Sequence, residues 1–185
     1  MHASGKMSTP LDPPQPIWLL DFDGVLNAVA PRGDTRVWET WHVSLKGEDP
    51  ESIPWYLWAP EATQVVAEAA TAGVRVIWLT DWMEMTQKLH ETIPNLPPCL
   101  EFLTNRIAGP SRHWKVNAAM ATVPDDAPLL WTDDHLHTRL LREKLSKDWI
   151  ANRAGDTTLI APRKDRGITP RDVDTIQEWI AQVTR

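Results

Sequence analysis

The clearest pattern along the chain is a set of short apolar runs that each end in polar residues. Residues 17–20 (IWLL) run into Asp21, 74–79 (VRVIWL) into Thr80 and Asp81, and 129–131 (LLW) into Thr132, Asp133 and Asp134. Runs this short and unbroken suit strands covered on both faces, as in a parallel sheet, although a buried helix segment shares the pattern. In open parallel sheets ligands bind just beyond the carboxyl ends of the strands, which is where the three polar clusters fall.

Helix signals lie between the runs. Residues 60–72 open with Pro60 and Glu61, continue through an alanine-rich stretch and stop at Gly73, the pairing of proline at a helix start with glycine past its end. Residues 135–147 are charged and leucine-spaced, which predicts a helix with Leu136, Leu140, Leu141 and Leu145 on one face. A last helix is expected from Thr169 and Pro170, with Val173, Ile176, Ile180 and Val183 along an apolar stripe. Strand and helix alternate, which argues for a layered α/β fold. Two stretches fall outside the alternation. Residues 27–59 contain strand-like pieces (VWETWHVSL and WYLW) and predict a hairpin or flap, and 92–111 read as an irregular connection around a short strand at 100–103. No internal repeat is visible.

Length and composition narrow the picture. At 185 residues and 42% hydrophobic, the chain fits one domain over 17–185 with a core of its own. Residues 1–16, with four prolines and no apolar run, read as a disordered leader and not as a signal peptide. Cys99 is the one cysteine, so no intrachain disulfide or thiolate cluster can form, and a reducing cytoplasmic setting fits. No segment approaches the roughly 18 apolar residues that cross a bilayer. The net charge of −6 works against wholesale attraction to nucleic acid. Nothing in the sequence calls for an obligate protein partner.

The candidate chemistry begins with the two carboxylates of the segment that reads Asp21, Phe22, Asp23, Gly24, Val25, Leu26, Asn27. Two carboxylates one residue apart can face one site if the chain leaves extended geometry after the strand, and Gly24 permits that turn. Clustered carboxylates repel, which implies a cation. An oxygen-rich site suits Mg²⁺, with Asp133 and Asp134 at the end of a later run supplying the remaining anionic ligand. Thr80 and Lys115 add the hydroxyl and ammonium that offset the charge of a phosphoryl group.

These residues resemble the four ordered motifs of the haloacid-dehalogenase-like superfamily: DFDGVLN, Thr80 in WLTDW, Lys115 in RHWKVNAAM, and WTDD at 131–134. The span from Ile17 to Asp134 is covered, and the tail 159–180 looks like small actinobacterial and phage members of the group. The resemblance implies a three-layer Rossmann-like fold with a central parallel sheet. The flap at 27–59 is too small for a large cap, which implies an open site. It implies a phosphatase in which Asp21 attacks phosphorus and Asp23 serves as acid and then base. Mg²⁺ would be held by the Asp21 carboxylate, the Asp23 carbonyl and Asp133. Thr80 would bind a phosphate oxygen, Lys115 would neutralise charge, and Asp134 would act through water or orient Lys115. Arg112 is an alternative to Lys115 as the cation. An acid at position 23 favours a phosphate ester over a haloacid.

Substrate contacts are assigned to Gly24, Asp81, Arg36, Trp38, Trp41 and His42. With Arg32 and Arg36 nearby, Trp38, Trp41 and His42 would form a stacking surface for a nucleotide or nucleic-acid end, or would pin the flap to the core. His135 and His137, two apart at a helix start, are expected on different faces as surface residues. The expected substrate is a phosphorylated small molecule, with a polynucleotide 3′-phosphatase and a non-catalytic phosphate-binding module as alternatives.

Overall fold

The computed structural model describes residues 13–29, 37–45, 55–98, 100–108 and 113–185. In chain order the elements are β1 (Ile17–Leu20), β2 (His42–Leu45), β3 (Trp55–Trp58), α1 (Pro60–Thr71), β4 (Arg75–Trp78), a 3₁₀ segment (Met83–Lys88) and α2 (Leu89–Thr92). They continue with β5 (Glu101–Phe102), α3 (Asn105–Ala108), α4 (Trp114–Thr122), β6 (Leu129–Thr132), a π-type segment (Leu136–Leu140), α5 (Lys144–Asn152), β7 (Thr157–Ile160) and α6 (Pro170–Val183).

Five strands form one parallel sheet in the order β5-β4-β1-β6-β7, flanked by helices, an α/β architecture compatible with a Rossmann-like fold. Alternate side chains of β1 enter two separate cores. Trp18 and Leu20 pack with Val65, Val66 and Ala69 of α1 and Ile176 and Ile180 of α6, while Ile17 and Leu19 pack with Val116 and Ala119 of α4 and with Leu136 and Leu140. Both faces of the strand are thus apolar, and this is why the central runs are unbroken.

The helix boundaries follow their caps. Pro60 opens α1, and Gly73, at φ +89°, ends it. At α6 the Thr169 hydroxyl accepts from the Asp172 N–H while the Asp172 carboxylate accepts from the Thr169 N–H, a reciprocal cap. The stripe expected on α6 is observed, with Ile176 and Ile180 buried and Val173 and Val183 packed beside them.

One expected helix is not continuous. Over 135–147 the Leu140 N–H donates to the His135 carbonyl and the Leu141 N–H to that of Leu136, so each bond spans five residues. The π-type turn adds a residue, the chain breaks at 141–143, and a new helix, α5, starts at Lys144. Leu136, Leu140 and Leu141 are buried as expected, but Leu145 is turned out of the stripe and is 62% exposed. Strand β7, the 3₁₀ segment, α2, α3 and α4 are additions to the expected elements, and α5 carries the expected helix on to Asn152.

The hairpin expected within 27–59 is present as antiparallel β2 and β3. The leader, apart from 13–16, together with Arg32, Arg36, Cys99 and Arg112, lies outside the described residues. No helix among the described residues is long and apolar enough to cross a membrane.

Candidate active site

Register builds the site. Leu20 of β1 pairs with Trp78 of β4 on one side and Thr132 of β6 on the other. The residues that follow, Asp21, Leu79 with Thr80, and Asp133, therefore emerge side by side at the carboxyl edge of three adjacent strands. The chain runs outward from β1 through β4 to β5, then returns to β6 beyond β1. The crevice between β1 and β6 is the switch point of the sheet.

Lys115 fills that crevice. Its Nζ donates to Asp21 Oδ2 at 2.7 Å and to Asp133 Oδ2 at 2.8 Å, and all three side chains are buried. The lysine stands in the first turn of α4, where a cation opposes the helix dipole, so the two carboxylates and not the helix account for its position. Their second oxygens are also engaged. Asp21 Oδ1 accepts from the Phe22 N–H and Asp133 Oδ1 from the His135 N–H, both at 2.8 Å. Burial raises the Asp21 carboxyl to about 7; the Lys115 charge pulls it down, the Asp133 charge pushes it up, and hydrogen bonds from Lys115 and Thr80 pull it down again. Burial works against the Lys115 ammonium but is outweighed by Asp21 and Asp133, so its pKa is raised.

Asp134 sits differently. Its Oδ1 is buried and accepts no hydrogen bond, though His135 Nδ1 lies 3.0 Å away. Burial raises its pKa, against the pull of His135. Gly24, at φ +75°, is what makes room for it: a Cβ there would stand 2.7 Å from Asp134 Oδ2. Gly24 thus serves the site by its lack of a side chain. The orientation of Lys115 expected of Asp134 is performed by Asp133, because Asp133 continues the sheet edge and reaches the ammonium directly. His135 is also not the free surface residue expected. The turn after β6 brings its ring to Asp134, and ligand atoms of Asp133, Asp134 and His135 lie within 4.8 Å of one another. His137 is exposed, as expected.

The 22–27 loop leaves extended geometry as its sequence predicts. The Phe22 carbonyl accepts from the N–H groups of Val25, Leu26 and Asn27. Within this loop Asp23 turns away from Lys115: its Oδ1 accepts from Asn27 Nδ2 at 2.6 Å and its Oδ2 from Trp82 Nε1 at 2.9 Å. Asn27 is itself fixed, because its Oδ1 accepts from the Leu57 N–H of β3. Phe22, Tyr56 and Trp82 meet edge to face, with centroids 5.3–5.7 Å apart, and set the indole plane. Asn27 and Trp82 were missed from sequence; the only signals were an Asn four residues after Asp23 and a Trp two after Thr80.

The remaining candidates divide. Thr80 is buried beside Asp21. Asp81 Oδ1 accepts from Trp114 Nε1 at 3.0 Å, so it anchors α4. Trp38 is buried with its N–H donated to the Ile168 carbonyl, and Trp41 packs against the same core, which favours pinning of the flap over a stacking surface. His42 stacks on Trp58 at 4.9 Å, within the hairpin.

Among the described residues, the group whose ligand atoms converge closely enough to hold a cation is Asp133, Asp134 and His135. Lys115 is shared by Asp21 and Asp133 while Asp134 Oδ1 has no hydrogen-bond donor, and oxygen-rich surroundings of this kind suit a hard divalent cation. No model of a known protein family matches the chain, and no curated protein matches it.

Proposed function

We propose that this chain is a phosphomonoesterase of the haloacid-dehalogenase-like kind that works through an aspartyl-phosphate on Asp21. The observation that carries the reading is Lys115, bridging Asp21 and Asp133 across the switch point of the sheet with Thr80 beside them. A buried carboxylate clamped on both oxygens has a fixed plane and a fixed line of attack, which is what in-line displacement at phosphorus requires. In the first step a bond forms from Asp21 to phosphorus as the bond to the leaving oxygen breaks, and Asp23 gives that oxygen its proton. In the second, Asp23 takes a proton from water as the water attacks phosphorus, which frees Asp21 and phosphate. Asp23 suits both duties because it stands at the rim on neutral donors, Asn27 and Trp82.

Lys115 and Thr80 offset the charge of the phosphoryl oxygens. Asp21, Asp133 and Asp134, with the Asp23 carbonyl, would hold Mg²⁺, which when bound balances the excess negative charge and polarises the phosphoryl group. The substrate on this reading is a phosphorylated small molecule. The test is phosphate release from phenyl phosphate with and without Mg²⁺, together with acid-quench trapping of labelled protein. Release that needs Mg²⁺ and an acyl-phosphate on Asp21 is expected. Full turnover in excess chelator, or turnover without labelled protein, would reject it.

A further inference from the structure

A cleft of about 470 Å³, within the range of small-molecule sites, is lined by Trp82. Tyr56 and Trp82 form one wall, Leu89 lies in its base, and Met85 is 57% exposed at its mouth. The same Trp82 that lines the cleft donates to Asp23 Oδ2 at 2.9 Å. A leaving oxygen protonated by Asp23 must come within hydrogen-bond reach of it. Trp82 is thus common to the cleft and to the donors that hold Asp23.

We propose that this cleft receives the leaving group, and that the preferred substrate is a phosphomonoester of a planar aromatic alcohol carrying no further negative charge. The inference rests on the phosphatase reading given above and adds the substrate class. Its first support is shape. The indole and phenol rings are braced against Phe22 by edge-to-face contacts, so their faces are rigid and preset for a flat partner. Met85 adds an adaptable thioether that packs well on ring edges. The second support is charge. Glu84 and Glu91 line the cleft with Lys88 between them, a balance that repels a second phosphate or a carboxylate on the leaving group. An open-chain sugar phosphate would leave the aromatic wall uncovered and gain nothing from it.

The experiment compares wild type, Met85→Asp and Met85→Leu on 1-naphthyl phosphate and on ethyl phosphate, whose ethyl group is too small to fill the cleft. Binding of 1-naphthol by calorimetry gives a readout independent of turnover. With Met85→Asp the KM for naphthyl phosphate should rise about tenfold, and naphthol affinity should fall by a similar factor. Met85→Leu should restore both, and kcat/KM for ethyl phosphate should stay within about twofold throughout. Equal losses on both phosphates, or unchanged naphthol affinity, would overturn the cleft assignment while leaving the hydrolase intact. Naphthol binding that depends on Met85 in a protein that releases no phosphate would instead overturn the hydrolase reading, and the leaving-group role with it.

Discussion

Asp21 and Asp23 are separated by one residue, yet the protein surrounds them in opposite ways. Asp21 is buried at the sheet edge, where a full positive charge, a backbone N–H and a neighbouring carboxylate act on it. Asp23 is half-buried in the loop, where both oxygens rest on neutral side-chain donors. On the proposed mechanism, the carboxylate that attacks is best locked by fixed charge. A group that must release and recover a proton is better served by donors that water can replace. The contrast makes the floor of the site rigid and charged, and its rim polar and exchangeable.

The strongest way to break this contrast is Asp21→Asn. On the proposed mechanism it removes the nucleophile and should lower turnover by about 10⁴ or more, since residues of a catalytic unit cost that much alone. It should also stabilise the metal-free protein. Burial lifts the Asp21 carboxyl from its ordinary 3.8 to about 7. Between those values the folded chain holds a proton that the unfolded chain has released, so stability falls as pH rises through the window, and the penalty is complete above it. In chelator at pH 8 the variant should therefore gain on the order of 1–3 kcal/mol, and the gain should vanish near pH 4. Thermal unfolding at the two pH values checks this; a variant less stable than wild type at pH 8 would remove the strain argument.

Asp23→Asn attacks the rim instead. General acid and base groups contribute about 10² to 10⁴ in rate, so turnover of ethyl phosphate should fall by that much with no gain in stability. The first step should recover with a good leaving group, while hydrolysis of the aspartyl-phosphate stays slow and labelled protein accumulates. Rapid-quench measurement separates the two steps. Equal steady-state rates for variant and wild type on ethyl phosphate would take the acid role away from Asp23.

Gly24→Ala tests the join between floor and rim. The methyl would meet Asp134 at 2.7 Å, and the backbone at φ +75° is costly for alanine. The displaced carboxylate should raise the Mg²⁺ concentration for half activity by about 10- to 100-fold, as for lost outer contacts at metal sites. Saturating Mg²⁺ should restore much of the rate. A loss that Mg²⁺ leaves untouched would mean that Asp134 has no part in holding the ion.

The floor was far easier to read from sequence than the rim. Asp21, Thr80 and Asp133 each end an apolar run, and such runs exist because β1, β4 and β6 are covered on both faces. Lys115 has no run of its own, and it was legible through its charge and its resemblance to a motif. Asn27 and Trp82 carried no comparable signal: they are neutral, and Trp82 is one of eleven tryptophans, most of which could be taken as packing. The same limit hid β7, whose Thr157 and Thr158 are half-exposed at the sheet edge and break the apolar pattern. Over 135–147 the leucine spacing matched a regular helix, and a single inserted residue in the π-type turn defeated it. Periodicity reports which residues are buried; it does not report where a turn changes its hydrogen-bond step.

The smallest effect, and the finest test of the contrast, belongs to Trp82→Phe. The variant keeps a ring on the cleft wall but removes the N–H that Asp23 Oδ2 accepts at 2.9 Å. Because Asp23 is half-buried, water can take the donor's place, and the net loss should be about 1 kcal/mol, or about fivefold in rate. Two small substrates separate the possible routes of that loss. Neither ethyl phosphate nor acetyl phosphate carries a group large enough to fill the cleft, but acetate departs as a stable anion and ethoxide does not. If Trp82 acts by positioning Asp23, the fivefold loss should appear on ethyl phosphate and shrink in the phosphorylation step on acetyl phosphate. If the indole serves only as a wall, both substrates should be untouched. An equal loss on both would point to a shift of the whole 22–27 loop, and the rim would then be as rigid as the floor.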